Sequence, residues 1–111
     1  IIAEIRARNS EAPILLIGFY NPFSIITDEY TPFETIVNEW NDTIQQIATD
    51  DSNACFVPIS DLFVTNAGMV YHTDFFHPSA SGYEQMTERI IEYMKLCDIE
   101  EMSEGRIGIE E

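Results

Sequence analysis

The sequence predicts one α/β domain in which parallel strands lie between layers of helices. Two apolar runs, at residues 14–19 and 54–59, are too short for helices, and the residues between them repeat apolar side chains at helical spacing. A strand, a helix and a second strand in this order form a parallel pair, an arrangement found almost only in sheets that are covered on both faces. The 111 residues, 45% of them hydrophobic, allow at most one small domain.

The first elements are a helix end and a buried strand. Residues 1–8 alternate apolar and charged side chains, as the last turns of a helix do, and Asn9 and Ser10 end this helix in a turn before Pro13. The unbroken apolar run at residues 14–19 predicts a strand that is buried on both faces.

A long helix is predicted to connect the two strands. Thr31-Pro32-Phe33-Glu34 supplies an N-cap, a proline at the first helical position and a glutamate three residues after the cap. Apolar residues then recur on one face, and we interpret this stripe as core: Phe33, Ile36, Val37, Trp40, Ile44 and Ile47.

The remainder of the chain predicts a strand, a loop and a helix. Residues 54–59 form the second strand, and a long loop is expected over residues 60–78. The final helix is capped by Ser79 or Ser81 and extends to about Cys97. Its expected buried face consists of Tyr83, Met86, Ile90 and Met94.

Two parallel strands are too few to cover these helices, so we expect an incomplete sheet. The outer edge of the first strand is left unpaired, and exposed apolar edges attract partners. We therefore expect a homodimer or larger assembly through this edge, and we take Ile14→Pro as the substitution that removes an edge donor.

The charge of the chain excludes several kinds of partner. A formal net charge of −15 disfavours nucleic acid and anionic membrane surfaces, because the lysines and arginines that neutralise phosphate are scarce. No apolar run is long enough to cross a bilayer, and no targeting signal is visible, which leaves the location open, a cell-envelope or other extracytoplasmic one included. Much of the charge lies in residues 98–111, which we expect to be frayed or partner-dependent.

Cys55 and Cys97 are expected to be buried free thiols.

The segment YHTDFFHPS at residues 71–79 carries the strongest functional signal. It sets Asp74 three positions before His77, directly ahead of a helix start. A histidine acts as a general base when one ring nitrogen faces a nucleophile and the other donates to a carboxylate. Pro78 pushes His77 away from helical backbone angles and holds it on the loop.

The pattern D-x-x-H-P-S-x-x-G-Y-x-x-M at residues 74–86 resembles the last conserved block of the SGNH (GDSL) hydrolases, a family of serine esterases and lipases. The run ILLIGFYNP at residues 14–22 is similar to the strand and loop that precede this block in the family. The resemblance implies the C-terminal part of a flavodoxin-like three-layer α/β/α sandwich. It also implies ester hydrolysis without a cofactor, with His77 as general base and then general acid, oriented by Asp74.

The chain departs from the family pattern in the blocks expected upstream. The Gly-Asp-Ser motif, the glycine block and the Gly-x-Asn-Asp block are absent, so we assign no serine as the nucleophile and expect these 111 residues alone to be inactive. Asn21 either contacts substrate or satisfies the turn before Pro22, and the turn is the preferred interpretation. Aromatic residues near the strand ends either line an acyl pocket or serve as ordinary packing: Phe19, Tyr20, Phe23, Phe75 and Phe76.

Two other functions stay open. The chain can be a non-catalytic α/β binding module that uses its acidic tail or its strand edge to bind a protein. A metal site is the less favoured alternative, since His72, Asp74 and His77 supply two imidazoles and a carboxylate within a short span.

Overall fold

The structure is a computed structural model that describes residues 1–23, 32–65 and 77–110. In chain order the elements are α1 (Ile2–Arg8), β1 (Ile14–Ile17), α2 (Pro32–Asp50), β2 (Ala54–Val57), α3 (Ser60–Thr65), α4 (Ala80–Leu96) and α5 (Ile99–Met102).

The two strands form the parallel pair that the sequence predicts. Ile14 lies opposite Ala54 and Ile17 opposite Val57, and α2 connects the strands. Within the described ranges the sheet contains these two strands, which confirms an α/β fold with an open, partial sheet. Each strand has four residues and is shorter than predicted, because the chain turns away from the ladder after Gly18 and at Pro58.

The hydrogen bonds of β1 show which of its backbone groups face the open edge. The Ile14 N–H donates to the Asn53 carbonyl at 3.1 Å, and the Gly18 N–H donates to the Val57 carbonyl at 2.9 Å. Donors alternate in direction along a strand, so Leu15 and Ile17 direct theirs toward the outer edge. The choice of Ile14 as an edge donor is therefore wrong, because its N–H bonds inward to the residue before β2.

A small core lies where β2 meets α3 and α4. Val57, Ile59 and Phe63 are almost completely buried. Partly buried residues surround them: Leu15, Ile17, Tyr20, Leu62, Met86, Ile90 and Tyr93. The prediction of one continuous loop over residues 60–78 is wrong at its start, since α3 forms there and contributes Phe63.

The predicted final helix is confirmed as α4, but its buried face differs from the expected one at two residues. Ser79 is the N-cap, and its hydroxyl accepts from the Gly82 N–H at 3.1 Å. Tyr83, expected to be buried, is 53% exposed. Tyr93 packs on the core and was not anticipated.

Much of the apolar stripe of α2 is not buried. Val37 and Ala48 are buried and Ile44 is half-buried. Since only two strands are described beneath this helix, its apolar face extends beyond them. The core prediction is wrong for four residues that remain exposed: Phe33, Ile36, Trp40 and Ile47. The helix begins at Pro32 as predicted, while the proposed cap, Thr31, lies outside the described residues.

A polar cluster holds the amino ends of the strands together. The Arg6 guanidinium donates to both carboxylate oxygens of Asp51, at 2.9 and 2.8 Å, and to the carbonyls of Ala12 and Asn53. These hydrogen bonds hold the pKa of the Asp51 carboxyl below its usual value and raise the pKa of Arg6. The cluster therefore connects α1 to the segments that lead into both strands.

Asn53 extends this cluster to the acidic tail. Its side-chain amide donates to the Glu11 carbonyl at 2.6 Å and to the Met102 carbonyl at 2.8 Å. Within the tail, Ile99 and Ser103 are buried, and α5 is capped by the Asp98 carboxylate. The described part of the tail thus contains a short helix that is tied to the strands.

Cys55 and Cys97 form a disulfide, so the expectation of free thiols is wrong. Cys55 is the second residue of β2 and is 2% exposed, whereas Cys97 is the C-cap of α4. The bond spans 42 residues of sequence and joins the start of β2 to the end of α4.

Reducing this bond should destabilise the fold. A cross-link over a separation of 42 residues contributes about 4 kcal/mol by the chain-entropy relation, because it restricts the unfolded chain. Urea unfolding with and without dithiothreitol, followed by far-UV circular dichroism, measures the difference. In the matched control, a Cys55→Ala/Cys97→Ala double variant, reductant should have no further effect. Equal midpoints for oxidised and reduced wild-type protein would contradict the prediction.

Candidate active site

The carboxyl edge of the sheet is where reactive groups are expected. In open parallel α/β sheets, ligands bind outside the carboxyl ends of the strands. Here β1 leads into Gly18, Phe19 and Tyr20 at that edge, and β2 leads into Pro58 and α3. The polar cluster of Arg6 occupies the opposite edge.

The contacts of α4 place its first turn beyond the carboxyl edge. At the end of the helix, Cys97 is bonded to Cys55 near the start of β2. Farther back, the Arg89 guanidinium donates to the carbonyl of Pro58, just past the end of β2, at 2.8 Å. The helix therefore runs antiparallel to β2, and its first residue lies roughly 13 Å along the axis from Arg89. His77 precedes that turn and so belongs to the carboxyl edge.

Arg89 also fixes α3 against α4. Its two terminal nitrogens each donate to one carboxylate oxygen of Asp61 at 2.8 Å. These bonds hold the pKa of the Asp61 carboxyl below its usual value. The Arg89 side chain is 18% exposed and that of Asp61 is 59% exposed, so solvent screens the pair and its main effect is geometric.

His77 lies at the loop-to-helix junction that the sequence predicts. His77 is exposed, and the next residue, Pro78, is buried. Ser79 then starts α4 with its capping hydrogen bond. Asp74 lies outside the described residues, so its pairing with His77 stays a prediction.

The metal alternative is likewise untested. The described ranges contain no group of three histidine, cysteine or acidic residues that can hold a metal ion. Both His72 and Asp74 lie outside those ranges, as do Phe75 and Phe76 of the expected acyl pocket.

Asn41 of α2 holds the backbone that follows β1. Its side-chain oxygen accepts from the Phe19 N–H at 2.7 Å, and its amide nitrogen donates to the Phe19 carbonyl at 3.0 Å. The Asn41 amide thus pairs with both backbone groups of Phe19, as the backbone of a neighbouring strand would. Gly18 permits this approach, because a Cβ there would stand 3.0 Å from the Asn41 oxygen and 3.1 Å from the Phe56 ring. The sequence alone did not indicate this role of Asn41, and the available signal was Gly18, a glycine that ends an apolar strand.

The side chain of Asn21 stabilises the turn around Pro22, as the preferred interpretation of the sequence predicted. Its side chain is 6% exposed, its oxygen accepts from the Phe23 N–H at 2.9 Å, and its amide donates to Glu34 at 2.8 Å. These bonds join the loop after β1 to the first turn of α2.

Aromatic side chains at this edge surround a cleft of about 360 Å³. Its lining, which we call the aromatic cleft, consists of Phe19, Tyr20, Pro22, Phe33, Ile36, Val37 and Trp40. The rings of Phe19 and Trp40 lie 4.6 Å apart. Tyr20 stacks on the core residue Phe63 at 4.0 Å, which connects the cleft to α3.

The cleft differs in part from the expected acyl pocket. Phe19 and Tyr20 line it as anticipated, whereas Phe23 packs against Phe33 at 4.7 Å and is not part of the lining. Ile36 and Trp40 were interpreted as core, and the structure instead places them in the cleft wall.

Comparison with known proteins decides the family. The sequence model of the GDSL-like lipase/acylhydrolase family matches residues 1–85. The chain belongs to this family. The GDSL-like chain is also similar to the uncharacterized protein YpmR of Bacillus subtilis (strain 168), with 31% identity over 97 residues. That alignment covers 86% of the chain and 38% of YpmR, so the chain spans well under half the length of this relative.

The family assignment confirms the resemblance that the sequence indicated. It establishes a relationship to the lipases and acylhydrolases of this family, at the level of the family. In the described part of this GDSL-like chain, no helix is both long and apolar enough to cross a membrane.

Replacing Asn41 by alanine should loosen the Phe19 backbone. The variant loses two hydrogen bonds and should lower the free energy of unfolding by about 1 kcal/mol relative to its control. The control is Asn38→Ala, at an exposed position of the same helix, which makes the same change in helix propensity. Urea unfolding of both variants measures the difference. Equal stabilities would show that the amide does not hold the loop.

Proposed function

We propose that this chain is the C-terminal part of a serine ester hydrolase in which His77 is the catalytic base. The supporting observation is the position of His77 at the start of α4, beyond the carboxyl edge of the sheet, in a chain of the GDSL-like family. The nucleophilic serine and most of the oxyanion hole belong, in this proposal, to preceding parts of the domain.

The reaction has two halves, acylation of the serine and hydrolysis of the acyl-enzyme. In each half, His77 first accepts a proton and then donates it. The serine hydroxyl attacks the ester carbonyl carbon while its proton passes to Nε2 of His77. The tetrahedral intermediate then breaks its bond to the alcohol oxygen, which takes that proton and leaves an acyl-enzyme. Water then attacks the acyl-enzyme and gives its proton to His77. His77 returns this proton to the serine oxygen as the carboxylic acid is released. Asp74 accepts from Nδ1 throughout and stabilises the imidazolium.

Substitution of His77 tests this mechanism in the full-length protein. His77→Ala should lower kcat for a short aryl ester by about 10⁴-fold or more, and Asp74→Asn by a similar factor. His72→Ala, in the same segment, is the matched control and should retain the rate. The 111-residue chain alone should show no turnover, because it lacks the covalent route.

Three outcomes would contradict the mechanism. Full activity of His77→Ala would remove the proposed base. Loss of activity in His72→Ala together with stoichiometric bound metal would favour the metal site. A full-length protein inactive on every ester would favour a non-catalytic binding module.

We also propose that the open edge of β1 mediates assembly of the 111-residue chain. Within the described ranges β1 has one neighbouring strand, and the Leu15 N–H faces away from it. Two copies can pair these edges about a twofold axis and form one continuous sheet.

Light scattering coupled to size-exclusion chromatography measures this assembly. We expect at least a dimer at micromolar concentration, and Leu15→Pro should shift the mass toward the monomer because proline removes the edge donor. Ile91→Ser, which changes an exposed residue on α4, should leave the mass unchanged. A well-folded wild-type monomer would refute the proposal.

A further inference from the structure

Arg89 binds three acceptors at the carboxyl edge of the sheet. Its guanidinium donates to the Pro58 carbonyl and to both carboxylate oxygens of Asp61, each at 2.8 Å, and its side chain is 18% exposed. A planar guanidinium that meets a carboxylate through two N–H groups accepts only a narrow range of geometries. Arg89 therefore fixes the relative positions of the elements that it joins.

Two fixed points set the direction of α4. The first is the disulfide, which joins Cys97 at the end of the helix to Cys55 of β2. The second is the bond from Arg89 to Pro58, roughly 12 Å from Cys97 along the helix axis. A rod held at one point pivots, whereas a rod held at two points has a defined direction. Rotation about the disulfide alone would move Ala80, roughly 25 Å from Cys97, about twice as far as it moves Arg89.

Apolar packing does not replace the second fixed point. Met86, Ile90 and Tyr93 of α4 pack on the core. Hydrophobic contacts are non-directional, so they hold α4 against β2 but define its tilt less sharply than a hydrogen bond to a backbone carbonyl does. The end of the helix that follows His77 is the most sensitive to this tilt, because it lies farthest from the disulfide.

The contact with Asp61 extends the clamp to α3. Asp61 lies on α3 and Arg89 on α4. These two helices flank residues 66–76 in the sequence, and His77 is the residue that follows this stretch. The ion pair therefore fixes the separation of the two elements between which the chain returns to His77. Loss of the pair would remove this constraint from both helices.

We propose that Arg89 is a positioning residue for the proposed base: by fixing the direction of α4 against β2 and α3, it places the His77 imidazole where the serine proton is transferred. The proposal rests on the ester hydrolysis proposed above, and it assigns to Arg89 no contact with a reacting atom. A displacement of about 1 Å in a catalytic group lowers the rate by as much as about 100-fold, so the direction of the helix should have a measurable effect on kcat.

Substitution of Arg89 in the full-length protein tests this role. Arg89→Gln removes the three hydrogen bonds and should lower kcat for a short aryl ester roughly 10- to 100-fold. KM should change less than about threefold, because no group that binds the substrate is altered. Arg89→Lys keeps the charge but cannot form the two-pronged contact, so it should recover only part of the loss.

Arg6→Gln is the matched control at the amino edge. Arg6 is also 18% exposed, donates to both carboxylate oxygens of Asp51 and binds the Asn53 carbonyl. The Asp51 side chain is 12% exposed and that of Asp61 is 59% exposed, so the control should lose at least as much stability as Arg89→Gln. Urea unfolding measures both losses. Arg6→Gln should nevertheless retain kcat, which separates positioning from a general loss of stability.

Nuclear magnetic resonance of the 111-residue chain gives a readout without turnover. The chain contains two histidines, so His72→Ala leaves the His77 imidazole as the only histidine signal. In this background, Arg89→Gln and Arg89→Lys should each shift or broaden the Cε1–H resonance of His77, because the ring is no longer held in one environment. Arg6→Gln should leave the resonance unchanged. Circular dichroism spectra that match wild type establish that the variants are folded.

The proposal is overturned if Arg89→Gln retains kcat in an active full-length protein, if Arg6→Gln lowers kcat as much, or if Arg89→Lys restores kcat fully, which would assign the effect to charge. A full-length protein inactive on every ester would refute the hydrolase, and the resonance then decides the role of Arg89. Identical His77 signals in the Arg89 and Arg6 variants would overturn the positioning role, and a change confined to the Arg89 variants would support it.

Discussion

The parallel pairing of β1 with β2 is the constraint on which the remaining structure depends. It sends both strands to the same edge, so the loop after β1 and the helix α3 after β2 become neighbours. The pair also defines the surface against which α2 and α4 pack. If the strands were antiparallel, Phe19 and Pro58 would lie at opposite edges, and neither the aromatic cleft nor the clamp on α4 would form.

The two edges of this sheet have different chemistry. At the amino edge, Arg6 and Asn53 donate to backbone carbonyls, and the Asp51 carboxylate accepts from both residues, so these three polar groups are engaged within the fold. At the carboxyl edge, polar side chains instead hold loops in place, as Asn41 does for Phe19. The hydrogen-bonded amino edge and the supported loops of the carboxyl edge together form a scaffold on which a binding site can be built.

Features governed by local sequence could be predicted, and those that depend on distant residues could not. The apolar runs, the proline at the start of α2 and the Ser79 cap each act over a few residues, and the structure contains all three. Whether Trp40 is buried depends on which elements cover α2, which periodicity alone does not reveal. His77 was proposed as the general base from a family pattern, whereas the lining of the aromatic cleft required the packing of α2 against the loop after β1.

The bond between Cys55 and Cys97 links the geometry of the site to the biogenesis of the protein. Cys97 is synthesised after Cys55 and after the whole of α4, so the cross-link can form only once this helix has emerged. Such bonds persist in oxidising compartments and are rare where thioredoxin and glutathione keep thiols reduced. Recombinant chain made in a reducing cytosol would therefore carry α4 without its covalent tether, and a secretory or oxidative-refolding route is the appropriate source of material.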